Sequence, residues 1–88
     1  MKTWYDFSEF FPETNEELVL DILWFDQDDP RNYSIDEGVI VEAMCSRDQT
    51  GTMFYQLFNK ESSEAILDVS NLEELDDLMK WSYHDDKV

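Results

Sequence analysis

Eighty-eight residues, 42% of them hydrophobic and 15% aromatic, carry 22 Asp and Glu against 6 Lys and Arg, a formal net charge of −16. This length holds one domain with one modest core, and the apolar content is too high for a disordered acidic tail. The charge excludes nucleic acid and anionic membrane as direct partners, because their phosphates would be repelled, and no stretch approaches the ~18 apolar residues of a membrane span.

Such an acidic surplus exceeds what solubility asks of a small domain and destabilises the compact state by self-repulsion. The expected partner is therefore a basic protein surface, and the commonest of these are surfaces that themselves hold nucleic acid. Cys45 is the only cysteine, so neither an internal disulfide nor a two-cysteine metal site can form. Residues 1–6 contain no apolar run of the kind a secretory leader needs, and a cytoplasmic location is the expectation. No composition shift or repeat divides the chain, so residues 1–88 read as a single compact acidic domain.

In chain order, Trp4, Tyr5, Phe7, Phe10 and Phe11 form an aromatic cluster suited to staple a core. Asp6 and Ser8 are possible caps, and Pro12 ends any short helix there. Thr14 and Glu17 have capping-box spacing. The apolar run 18–25 is broken only by Asp21, and its alternate residues Leu18, Leu20, Ile22 and Trp24 would line one face of a strand. A buried helix is the rival reading of that run. Residues 26–37 read as an acidic surface loop.

Residues 39–44 and 52–58 read as paired strands, joined by a polar turn closing on Gly51. A helix starting at Ser34 is opposed by Gly38 and by the β-branched Val39, Ile40 and Val41. Residues 65–69 make a short strand. Ser70 and Glu73 then predict a helix with Leu72, Leu75, Leu78 and Met79 on its apolar face and Glu73, Asp76, Asp77 and Lys80 on the other. The tail from Tyr83 onward is expected to fray. Together these give an α+β fold: a small antiparallel sheet of three to four strands with a C-terminal helix packed on one face.

Nothing in this pattern calls for catalysis. Nucleophilic chemistry needs a nucleophile with a base in reach, yet the single histidine, His84, falls in the tail and Cys45 has no identifiable activator. Two glycines cannot build a phosphate-cradling loop. A calcium loop counted from Asp26 places Asp28 third and Glu37 twelfth, but Pro30 and Arg31 occupy positions needing an oxygen ligand and a glycine. No cofactor and no metal is expected, and the chain reads as non-enzymatic.

The acidic residues fall into four groups: Glu13, Glu16 and Glu17; Asp26, Asp28 and Asp29; Asp36 and Glu37; and Glu73, Glu74, Asp76 and Asp77. The last three groups are the candidate partner-binding residues. On a helix, Glu73 and Asp77 would stand about 6 Å apart along the axis, a row of carboxylates able to engage the Lys and Arg of a nucleic-acid cleft in place of phosphates.

In size, net charge, aromatic content and these acidic runs, the chain resembles as a class the small acidic DNA-mimic inhibitors of phages and mobile elements. Proteins of that class block restriction, CRISPR and other DNA-processing systems. The resemblance spans the composition of the whole chain, rests on no aligned motif and implies no particular residue. It makes a non-catalytic inhibitor of a basic, nucleic-acid-binding protein the leading expectation. An immunity protein or antitoxin neutralising a nuclease toxin, with anchors such as Trp24, Tyr33 or Trp81, is the first alternative. An acidic adaptor module binding another basic protein is the second.

Overall fold

The structure is a computed structural model that describes residues 2–29 and 31–84. Five strands follow one another: β1 (Glu17–Phe25), β2 (Tyr33–Arg47), β3 (Met53–Asn59), β4 (Ala65–Val69) and β5 (Met79–Tyr83). They form one open antiparallel sheet in the order β4-β3-β2-β1-β5. A single 3-10 turn, Leu72–Leu75, is the only helical element among the described residues.

Alternation of side chains along each strand puts Leu20 and Ile22 of β1 on the same face as Val41 and Ala43 of β2, Leu57 of β3, Leu67 of β4 and Met79 and Trp81 of β5. All of these are buried. Two covering segments close that face. The N-terminal segment starts alongside β5, where Tyr5 and Trp81 exchange backbone hydrogen bonds of 2.8 and 3.0 Å. It ends beside β2, where Thr14 bridges Ala43, and on the way it buries Phe7 completely. The connection 70–78 leads from β4 at one edge to β5 at the other and contributes Leu75 to the same core.

Trp81 is the centre of the packing. It is fully buried, its rings lie 5.1 Å from Tyr5, 5.9 Å from Phe10 and 5.1 Å edge-on from Tyr83, and its indole N–H donates to the Phe10 carbonyl at 2.8 Å. A buried tryptophan needs that donor satisfied. Trp81 is thus a core residue and not an interface anchor, while Tyr33 is 60% exposed.

The expected C-terminal helix is absent, and the fold is mostly β instead of α+β, with five strands where three to four were expected. After Asn71 accepts the Glu73 N–H at 3.1 Å, the chain makes one 3-10 turn and returns to extended conformation at Met79. Two physical terms favour this outcome. A helix would stack Glu73 over Asp77 and repel them. The apolar strand β1 also needs a second neighbour for its backbone groups, and Met79, Trp81 and Tyr83 alternate inward to supply one.

Three further expectations are corrected. The acidic loop covers only the stretch between β1 and β2, because Tyr33 to Asp36 already pair with β1 and Glu37 lies within strand β2. Thr14 is a bridge residue and caps no helix. Tyr83 lies in β5 and the His84 N–H donates to the Val19 carbonyl at 3.0 Å, so the fraying tail does not begin there; residues 85–88 lie outside the described residues.

Candidate partner-binding surface

β1 and β2 slip register between Leu20 and Ile22, where Asp21 alone faces Glu37 and Gly38. The extra residue on β2 is a β-bulge, and Gly38 occupies it at φ +69°, a conformation that penalises side chains. The bulge turns the Gly38 N–H onto Asp21 at 2.9 Å. Asp21 is only 2% exposed. Its carboxylate also accepts the Lys2 ammonium and, at 2.8 Å, His84 Nδ1. Burial pushes the Asp21 carboxyl upward, but Lys2, the Gly38 N–H and His84 together outweigh it and hold the group below its ordinary value. One carboxylate therefore ties the N-terminal segment, the β2 bulge and the end of β5. The candidate set omits it, yet a lone Asp inside an apolar run is itself a signal, since a buried charge must be paired.

The candidate carboxylates do not share one site. The loop after β1 is folded by its own acids: Asp26 accepts the Asp28 N–H at 2.8 Å, and Asp29 holds both the Arg31 N–H and its guanidinium at 3.1 and 3.2 Å. Asp29 is thus partly engaged and Asp28 is exposed. Asp26 meets Asp76 and Asp77 around a cavity of about 490 Å³, lined also by Phe25, Gln27, Leu78 and Lys80. The backbone bond from Phe25 to the Leu78 carbonyl, 3.0 Å, brings these distant stretches together. Lys80 in that cavity is already paired with Asp6, and Asp76 accepts the Ser8 hydroxyl at 2.6 Å.

Asp36 and Glu37 line a separate groove of about 390 Å³ with Ile22, Trp24, Ile35, Val39, Asn59 and Ile66. The Trp24 indole N–H donates to Asp36 at 3.1 Å. Glu73 borders a third, shallower hollow beside Ser8 and Tyr55, and Glu74 is exposed on the 3-10 turn. Glu73 and Asp77 do not form the expected helical row.

Elsewhere the acids meet each other. Glu17 stands directly opposite Glu42 across β1 and β2, an arrangement that costs stability, and Lys60 approaches Glu42 at 3.5 Å. Glu13 raises the Glu16 carboxyl through a side-chain hydrogen bond and charge repulsion. In the turn after β2, the Thr50 hydroxyl and the Thr52 and Thr50 N–H groups draw Asp48 down. Among the described residues only Asp6, Asp21, Asp29 and Glu42 lie within ion-pair distance of a cationic side chain. No group of three or more His, Cys, Asp and Glu among those residues is placed to hold a metal ion. Cys45 is exposed on β2.

Comparison of the chain with protein-family models, with curated proteins and with solved structures gives no match in any of the three.

Proposed function

We propose that this protein is a non-catalytic acidic inhibitor that occupies the basic nucleic-acid-binding surface of a partner protein, its carboxylates standing where phosphates would bind. The observation that carries this reading is the cavity where Asp26, Asp76 and Asp77 converge from separate loops while its one lysine is spent on Asp6. Carboxylates held in loops at the end of the sheet and short of cations leave oxygen lone pairs to a partner's Arg and Lys. Their summed field would steer association and make it strongly salt-dependent.

The test is affinity capture by the tagged protein from a lysate, with elution by duplex DNA in one arm and by salt in the other. Release by DNA of a discrete nucleic-acid-binding protein, lost when Asp26, Asp76 and Asp77 are all changed to Lys, supports the reading. Release by salt alone, with the partner still able to bind DNA while captured, refutes it and describes an adaptor.

A further inference from the structure

The sheet is short of one strand segment. β2 runs for 15 residues, but β3 pairs only with its second half, Val41 to Arg47, and the last bond across that side is from the Lys60 N–H to the Ile40 carbonyl, 2.8 Å. From Tyr33 to Val39 one edge of β2 pairs with β1, except at Glu37 and Gly38 in the bulge, while no described residue pairs with the other. At about 3.3 Å per residue this leaves roughly 20 Å of free edge. Beside it lies the groove of Ile22, Trp24, Val39 and Ile66, with Asp36 and Glu37 at its margin.

We infer that this notch is a peptide site: an extended segment of a partner protein, alternating apolar and basic residues, adds to Tyr33–Glu37 as the strand that β3 does not supply. Backbone bonds to the free edge would hold it in register. Alternate side chains would fall on the core face and fill the groove beside Asp36, which pairs with Ile22, whereas Lys or Arg on the opposite face would meet Glu37. The bulge at Gly38 bends β2 near the point where β3 leaves it, so the regular part of the acceptor edge is the stretch before the bulge. A second copy of this chain is the other occupant an open edge invites, but a net −16 on each copy opposes it. The inference shares the basic partner of the proposed function yet does not need nucleic-acid mimicry, and its test contains no nucleic acid.

The probe is the synthetic peptide Lys-Val-Lys-Val-Lys-Val-Lys, blocked at both ends, titrated into the labelled full-length protein. Its comparators are the same peptide with alternate backbone nitrogens methylated and the Glu-for-Lys analogue. Amide exchange between Tyr33 and Val39 should slow on binding. Methylation, or Glu37→Lys in the protein, should each weaken binding by roughly tenfold, the scale of losing charge-assisted or backbone bonds. Failure of the unmodified peptide to bind overturns the inference, as does equal binding of the methylated one, which would mean attraction of charges alone. Protection of these amides in peptide-free protein at high concentration, with dimers in sedimentation, would replace the partner by a second copy.

Discussion

Changing Asp21 to Asn removes the charge on which three parts of the chain converge and leaves the side chain's shape almost intact. The new amide oxygen can still accept the Gly38 N–H, but Lys2 and His84 lose their anion. Hydrogen bonds to charged groups each contribute about 1.5–3 kcal/mol. The Lys2 and His84 side chains are 29% and 46% exposed, so both can return to water, which places the loss toward the low end. A total of about 2 kcal/mol is expected, a large share of the roughly 5–15 kcal/mol that holds a domain together. For a chain of this size that lowers Tm by on the order of 10 °C. Thermal and urea unfolding, followed by tryptophan fluorescence and circular dichroism at neutral pH, measures it. Because the folded-state pKa of Asp21 lies below its ordinary value, its contribution is complete above about pH 4 and is lost as pH falls through the folded value. The difference between wild type and variant should therefore shrink in acid. A loss under about 0.5 kcal/mol at neutral pH, or a difference that stays constant into strong acid, would refute the argument.

Other outcomes follow from charge and backbone. Raising salt from low to moderate concentration at neutral pH should raise Tm by screening self-repulsion; a flat or falling Tm would mean the carboxylates are spaced harmlessly. Glu16 has the opposite sign from Asp21: its raised pKa gives a contribution present in acid and lost as pH climbs through that value. Glu16→Gln should accordingly raise Tm slightly at neutral pH and leave it unchanged in acid, as paired melting curves would register. Gly38→Ala should cost about 1–2 kcal/mol in urea unfolding, because the added Cβ is held at positive φ, with the His84 ring in ordinary contact at 3.7 Å.

Much of the sheet was legible. The polar turn around Gly51 marks the β2–β3 hairpin, whereas the alternation in residues 18–25 leaves strand and buried helix both open, because Leu20 to Leu23 are buried on both faces and a continuous apolar run does not separate the two. Tyr33 to Glu37 were not legible as strand: Tyr-Ser-Ile-Asp-Glu keeps an alternation, but its side chains are exposed and three of the five are polar. The C-terminal error had a different origin. Leu72, Leu75 and Leu78 fit a helical face, yet Met79, Trp81 and Tyr83 fit a strand equally well, and only the unfilled edge of β1, a tertiary fact, decides between them. For the acidic surface, the residues were visible and their grouping was not. Asp26 joins Asp76 and Asp77 only because the connection from β4 returns past the end of β1.

The placing of β5 next to β1 also sets an order of events in synthesis. Leu20 waits for Tyr83 and Ile22 for Trp81, and Trp81 supplies the centre of the core. A ribosome therefore presents β1, β2, β3 and β4 with one apolar strand edge and most of the core open until nearly the whole described chain has emerged. Contacts this distant in sequence slow folding and lengthen the time in which nascent chains can pair wrongly. At that stage the like charge of the surplus carboxylates keeps unfinished chains apart.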